Sequence, residues 1–177
     1  MKKKFDELLE LMSKPLRENG GIKTDNSILL VYPPAEELDF RDYLLDTFVP
    51  LIRAKGLPLE LLDLTGFLFE TTDEQTLADL EQDEFDDYSW FKQGLSKRVE
   101  SALPRRLAEI AKKLPGGTII VYGTVALHPL LRFGELLTGL RDVPARIVIA
   151  FPGEERGGKL HFMNQPDGGN YLAVKLC

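Results

Sequence analysis

Residues 118–151 read TIIVYGTVALHPLLRFGELLTGLRDVPARIVIAF and contain two nearly continuous apolar runs with a segment of helical spacing between them. The runs, at 118–123 and 146–151, are short and rich in β-branched residues, as in strands that are covered on both faces. A strand, a crossover helix and a second strand form a unit whose two strands are parallel. This stretch therefore predicts an α/β fold with a parallel sheet.

The rest of the chain continues the alternation of strands and helices. The further predicted elements are, in chain order, a short N-terminal helix, a strand at 27–32, a helix at 36–54, a strand with its exit turn at 57–66, a helix from about Trp90 to Leu114, and closing strands at 159–163 and 170–176. This alternation favours a mostly parallel central sheet with helices on both faces. The closing strands have no helix between them, so we expect them to pair as an antiparallel C-terminal edge hairpin. The sequence predicts one three-layer α/β domain over residues 1–177.

Prolines and glycines set the expected ends of several elements. Pro129 suits the first turn of a helix, which we expect to run to about Leu140. Pro104 lies inside the long predicted helix and should kink or split it. The strand at 146–151 is expected to close at Pro152-Gly153, and the turn between the closing strands is expected at 166–169.

Composition indicates an ordinary globular protein. The chain has 177 residues, of which 44% are hydrophobic and 28% are charged, and these proportions are typical of a single folded domain. The only cysteine is Cys177, which excludes a disulfide scaffold and a four-cysteine zinc site. The first residues, MKKKFDELLELM, place acids among apolar residues, unlike a signal peptide, and no apolar run approaches membrane-spanning length. We therefore expect a soluble, cytoplasmic protein without a membrane partner.

Charge is distributed unevenly along the chain. The net charge is −6, which by itself disfavours a protein that wraps nucleic acid. Residues 70–87 contain nine acids and neither Lys nor Arg, so this segment carries −9 and the rest of the chain carries +3. We interpret residues 70–87 as an acidic insertion, which could be mobile, in a mildly basic domain.

A basic ridge follows the acidic insertion. On a helical projection at 100° per residue, the apolar positions of the long helix fall in one sector and the cations fall in the other half. The ridge consists of Lys97, Arg98, Arg105, Arg106, Lys112 and Lys113. It could be a solvated face, a docking surface for the acidic insertion or an acidic partner, or a contact for a nucleic-acid backbone.

The loops after the predicted strands lack the usual nucleotide-binding motifs. A P-loop places glycines and a lysine directly after a strand, whereas the strand at 27–32 is followed by PPAEE and the strand at 118–123 leads into GTVAL at 123–127. The motifs GxGxxG, GxSxG and HExxH do not occur either. The sequence therefore predicts no catalytic centre, no metal site and no cofactor, with nucleotide binding through an unusual loop as an alternative.

Two residues near the expected strand ends have both a functional and a structural interpretation. Asp63 could coordinate a metal or activate water, or it could cap the following turn through backbone N–H groups. His128 lies at a strand-to-helix turn, where open α/β sheets bind ligands. It could be a ligand or a base there, or simply a residue at the start of a helix. For both residues we favour the structural interpretation.

Three blocks in the C-terminal third carry a family resemblance: IIVYGTVALHPLLRFGELL, RIVIAFPG and DGGNYLAV, at 119–137, 146–153 and 167–174. The chain resembles the BrxB family of the bacterial BREX (bacteriophage exclusion) defence systems. Members of that family typically show Tyr-Gly after a strand, Arg followed by an acid on a helix, Phe-Pro-Gly, and a terminal Asp-Gly-x-Asn-Tyr-Leu-Ala-Val strand. The Asp-Leu-Thr at residues 63–65 also resembles the family pattern, whereas Val125 and Gly157-Gly158 depart from it.

The resemblance implies a small cytosolic protein that supports phage defence together with larger components, namely a phosphatase-like protein, an ATPase or a methyltransferase. No catalytic residues are established for the family, so the resemblance implies a non-catalytic adaptor. It points to a candidate ligand or partner site at the strand ends, made of Asp63, Gly123, His128, Arg132, Phe151, Pro152, Gly153, Asp167, Asn170 and Tyr171. In this set the glycines permit tight turns, Asp167 and Asn170 suit a turn that bonds its own backbone, and Arg132 is available to a carboxylate or phosphate.

Overall fold

A five-stranded parallel sheet forms the centre of the structure, a computed structural model that describes residues 1–16, 26–73, 76, 78, 88–140, 143–167 and 173–177. The strands are β1 (Ser27–Tyr32), β2 (Leu59–Asp63), β3 (Thr118–Tyr122), β4 (Arg146–Arg156), β5 (Lys159–Phe162), β6 (Gln165–Pro166) and β7 (Val174–Leu176). The parallel sheet has the order β2-β3-β4-β1-β7. The remaining two strands extend β4 on one side, because β5 pairs antiparallel with β4 and with β6.

Helical segments connect the strands. They are α1 (Lys2–Met12), a continuous helical run after β1, α4 (Phe67–Glu70), α5 (Tyr88–Lys113), a 3-10 turn (Thr124–Leu127) and α6 (Phe133–Gly139). The run after β1 comprises a 3-10 turn (Pro34–Glu36), α2 (Glu37–Asp42), a π-helical segment (Tyr43–Phe48) and α3 (Val49–Ala54). No helix within the described ranges has an apolar stretch that is long enough to cross a bilayer.

The sheet separates two hydrophobic cores. Alternate residues of β4 point to opposite faces, so that Ile147 and Ile149 belong to one core and Val148 and Ala150 to the other. The first core is covered by α5 and α6, and the second by α1 and the helical run after β1. This arrangement confirms the predicted α/β domain with helices on both faces of a mostly parallel sheet.

The connections after β1 and β3 leave the sheet on opposite faces. The helical run after β1 contributes Phe40 and Phe48 to one core, and the segment after β3 contributes Leu127 and Phe133 to the other. Both strands are neighbours of β4 in the sheet. In open α/β sheets the carboxyl end between two such diverging connections is where ligands usually bind. The candidate site is therefore expected where the parallel part of β4 ends, at Pro152.

The antiparallel hairpin is present, but its strands differ from the expected pair. β4 does not close at Pro152-Gly153: it pairs with β1 as far as Pro152 and then with β5 from Gly153 to Arg156. The strand 170–176 was expected to pair with 159–163, whereas β7 pairs parallel with β1. The physical reason lies in the turns. Gly157-Gly158 and Met163-Asn164 all have positive φ, as two-residue hairpin turns require. Through the first turn β5 folds back on β4, and through the second turn β6 folds back on β5.

The structure bears on two predictions about prolines. Pro104 does not split the long helix, because α5 continues through it from Tyr88 to Lys113. The buried Leu103 and Leu107 on either side hold this segment against the sheet. Pro129 does not open a helix, since α6 begins at Phe133. The residue before a proline is biased toward extended backbone, and His128 has φ −77° and ψ 135°.

Candidate functional site

The carboxyl ends of β2 and β3 are joined by a polar cluster around Asp63. Asp63 Oδ1 accepts hydrogen bonds from the backbone N–H of Thr65 at 2.9 Å and from its hydroxyl at 2.6 Å. The Tyr122 hydroxyl donates a third hydrogen bond to this carboxylate. The predicted turn-capping bond of Asp63 is therefore present, and the Asp-Leu-Thr and Tyr-Gly motifs are neighbours in space.

The electrostatic interactions in this cluster mainly change the pKa of Tyr122. Partial burial raises the pKa of the Tyr122 hydroxyl above its usual value, and the charge and hydrogen bond of Asp63 raise it further. The guanidinium of Arg41, on α2, acts in the opposite direction on the same pKa. Tyr122 therefore stays protonated and serves as a hydrogen-bond donor to Asp63. Asp63 itself is exposed.

Gly123 turns the chain out of β3 and fits closely against this cluster. Its φ is +67°, and a Cβ atom built on it would lie 2.7 Å from Asp63 Oδ1 and 2.8 Å from Thr65 Oγ1. The next residue, Thr124, is fully buried, and its hydroxyl donates a 2.8 Å hydrogen bond to the Ala150 carbonyl. The loop after β3 is thereby tied to both β2 and β4.

The place where the parallel part of β4 ends is covered by an aromatic side chain of the hairpin. Phe162, on β5, is 3% exposed. Its ring centroid lies 5.1 Å from that of Phe151, 5.3 Å from that of Phe133 and 5.6 Å from that of His128. The position at which an open α/β sheet usually receives a ligand is thus packed with protein side chains.

Pro152 and Gly153 bring the hairpin into this position. The Met163 N–H donates a 3.1 Å hydrogen bond to the Pro152 carbonyl. Gly153 lies opposite Phe162 in the strand register. A Cβ atom at Gly153 would lie only 2.1 Å from the His161 carbonyl oxygen. The close approach of β4 and β5 therefore depends on the absence of a side chain at residue 153.

Asp167 contributes to the same region from the other end of the hairpin. It is 4% exposed, and its carboxylate accepts a 3.1 Å hydrogen bond from the backbone N–H of Gly134, in the first turn of α6. Negative charge at a helix N-terminus is favourable. The sequence interpretation placed Asp167 in a turn of its own and missed this long-range capping role.

The other predicted residues of this region are placed only in part. Arg132, the residue before α6, is exposed, and Asn170 and Tyr171 lie outside the described residues.

We expect His128 to make stability depend on pH. Burial lowers the pKa of its imidazole below the usual value, and the charge of Lys92 on α5 lowers it further. Because the folded state favours the neutral ring, its contribution to stability is complete above about pH 6.5 and is lost as the pH falls below that value. A His128→Gln variant should therefore lose less stability than the wild type between neutral and mildly acidic pH in urea unfolding. Equal losses in both proteins would contradict this role.

The six residues of the basic ridge are all exposed on α5. Arg98 donates a 3.4 Å hydrogen bond to the Thr76 hydroxyl. Hydrogen bonds from Thr76 lower the pKa of Asp73, and the charge of Arg98 lowers it by a smaller amount. One ridge residue therefore contacts the beginning of the acidic insertion, most of which lies outside the described residues. Arg105 is bonded within the helix, to the Ser101 carbonyl at 3.0 Å and the Ser101 hydroxyl at 2.8 Å.

The predicted site residues thus fall into two groups. Those strand-end residues that the structure describes lie around the carboxyl ends of β2 and β3 and the end of the parallel part of β4, and the ridge lies along α5. Sequence reasoning missed Phe162, the side chain that links much of the first group. The alternation of Leu160, His161 and Phe162 along a strand was the available signal, because it places Phe162 and Leu160 on the same face.

No group of three potential metal ligands occurs among the residues that the structure describes. Comparison with protein-family models and with curated proteins yields no match to this chain, so its resemblance to the BrxB family rests on the sequence blocks alone.

Proposed function

We propose that the protein is a non-catalytic cytoplasmic adaptor of a BREX-type defence complex, acting through protein–protein contacts. The sequence blocks that resemble the BrxB pattern support the assignment to a BREX-type system. The geometry of the candidate site supports a non-catalytic mode of action. The observation that carries the non-catalytic part is the packing of Phe162 against Phe151, Phe133 and His128, where the parallel part of β4 ends. A side chain of the chain itself occupies the place at which a substrate would be expected.

The two acids of the strand-end group also support a non-catalytic function. Asp63 accepts hydrogen bonds from Thr65 and Tyr122, and Asp167 accepts one from Gly134 N. Carboxylates that cap turns and helices in this way stabilise the fold. The two acids therefore stabilise the turn after β2 and the first turn of α6, and recognition of partners is left to the exposed surface.

Affinity purification from the native host tests this proposal. A tagged copy at its own locus is expected to recover a phosphatase-like protein, an ATPase or a methyltransferase of the same defence system, identified by mass spectrometry. A tagged unrelated protein of similar size is the control for adventitious capture. Recovery of no other defence component would refute the adaptor function.

Thermal unfolding with ATP, GTP and cyclic nucleotides distinguishes this function from nucleotide binding. An adaptor without a nucleotide site should show no shift in Tm with any of them. A clear stabilisation that is lost in an Arg132→Ala variant would instead favour a nucleotide site beside α6. Arg132 suits this test because its side chain is exposed, so its replacement should leave the core packing intact.

A further inference from the structure

The solvent-facing side of α5 carries a strip of positive charge. The helix contains seven cations and two acids, and the six cations of the basic ridge are all exposed. At about 100° per residue these six lie within half of the helix circumference, and Glu109 is the only acid in that half. The buried residues Leu103 and Leu107 lie in the other half and belong to the core beneath α5. The positive charge of α5 is therefore gathered on the side that a partner can reach.

Most of the ridge cations have no acidic partner within the described part of the chain. There, no hydrogen bond or ion pair is formed by Lys97, Arg106, Lys112 or Lys113. Arg105 bonds to the neutral Ser101, and Arg98 lies near Asp73 at the beginning of the acidic insertion. Glu109 lies one helical turn after Arg105, yet no ion pair joins the two. The charge of the ridge therefore remains available to an external anion.

The length of the ridge suits a polyanion with closely spaced charges. From Lys97 to Lys113 the ridge extends about 24 Å, at 1.5 Å per residue. Its cations form three adjacent pairs, whose centres are about 12 and 11 Å apart along the axis. Duplex DNA presents about one negative charge per 1.7 Å of its own axis, and its major groove is wide enough to receive an α-helix. Cations over half of the circumference of α5 can then reach the phosphates of both strands.

The side chains of the ridge favour duplex DNA over other anionic partners. The centres of protein–protein interfaces are rich in aromatic residues and poor in lysine. Three of the six ridge residues are lysines, and the large apolar residues that are exposed, Leu38, Leu51 and Phe69, lie on other helices. Proteins bind single strands by stacking bases on aromatic side chains, and no described side chain of α5 is an exposed aromatic one. The deep major groove of duplex RNA is too narrow for such a helix.

We propose that the basic ridge of α5 binds the phosphate backbone of duplex DNA without sequence specificity. The helix lies at the mouth of the major groove, and its lysines and arginines pair with phosphates on the two sides. Contacts of this kind position a protein on DNA but do not read the bases. This binding is a further function of the chain, since it requires no other defence component and does not rest on the adaptor function.

Fluorescence anisotropy of a labelled, mixed-sequence DNA duplex with the purified full chain tests the ridge. We expect saturable binding whose log K falls with log salt concentration at a slope of about −4 or steeper, as for four or more phosphate contacts. The double variants Arg105→Gln/Arg106→Gln and Lys112→Gln/Lys113→Gln should each weaken binding at least about tenfold and flatten the slope by about 2, because each removes two such contacts.

Two further variants separate the ridge from general effects of charge and folding. Glu109→Gln should tighten binding several-fold, because it removes the one acid within the ridge, and a loss of folding cannot produce this gain. Arg53→Gln/Lys55→Gln should bind as the wild type does, because these exposed cations lie at the end of α3, on the opposite face of the sheet. Circular dichroism checks that all variants are folded.

Four outcomes would overturn the inference. They are absence of saturable duplex binding to the wild type, an unchanged salt slope in both double variants of the ridge, equal weakening in the α3 control, and tighter binding of polyglutamate than of the duplex. The last outcome would assign the ridge to an acidic protein. The adaptor function fails separately, because the anisotropy assay contains no defence component and the affinity purification from the host requires no DNA binding.

Discussion

The Gly153→Ala variant is expected to lower the free energy of unfolding by about 3 kcal/mol, the upper part of the range for overpacking in a protein interior. The added Cβ would lie 2.1 Å from the His161 carbonyl oxygen and 2.7 Å from the Phe151 ring. The carbonyl belongs to the backbone of β5 and cannot rotate away, so the two strands must separate. Because Phe162 faces Gly153 in the register, separation of β4 and β5 also loosens the aromatic cluster around Phe151.

Urea unfolding followed by circular dichroism measures this effect, and Gly94→Ala provides the matched control. Gly94 lies within α5, and a Cβ atom there would have no neighbouring atom within 4 Å. Alanine at a helix interior is more favourable than glycine by up to about 1 kcal/mol, so the control should be slightly more stable than the wild type. Unfolding of Gly153→Ala at the wild-type urea midpoint would show that β4 and β5 do not approach as closely as described.

The Gly123→Ala variant is expected to cost about 2 kcal/mol, for two separable reasons. The residue has φ +67°, and a side chain in this left-handed region costs about 1 kcal/mol. The added Cβ would also crowd Asp63 Oδ1 and Thr65 Oγ1. Crowding of this kind costs about a further 1 kcal/mol, since the side chains can yield only by giving up their hydrogen bonds.

Gly56→Ala separates the two contributions. Gly56 has φ +69° and open space around a Cβ atom, so its replacement reports the backbone cost alone. We expect Gly123→Ala to be more destabilising than Gly56→Ala by chemical denaturation. In an Asp63→Ala background the excess cost of Gly123→Ala should shrink, as a double-mutant cycle would reveal. Equal costs at the two glycines would contradict the contact between Gly123 and the Asp63 cluster.

The fold was predictable from sequence where a pattern is local. The run 27–32 matches β1, and the run 118–123 matches β3 except for Gly123, because apolar strands covered on both faces have a strong signature. The pairing of the last strands was not predictable in this way. It depends on Met163-Asn164 adopting positive φ, which methionine rarely does, and on β7 joining the far side of β1.

The candidate site, too, could be predicted from the sequence only in part. Parallel strands bring their carboxyl ends to one edge, so the sequence alone placed Asp63 and Gly123 in one region. Which groups touch there depends on residues distant in the chain. The hydrogen bond from Gly134 N to Asp167 and the packing of Phe162 on His128 join segments about thirty residues apart, and no spacing rule connects them.

The strand order has a consequence for synthesis of the protein on the ribosome. β1 is made early, yet both of its neighbours, β4 and β7, come from residues after 145. Until those residues leave the exit tunnel, the apolar strand at 27–32 has no partner within the sheet. Loop closure over such a sequence distance is slow, and unpaired strands are prone to aggregate. Nascent chains stalled before β4 should therefore depend on chaperones that shield exposed apolar segments.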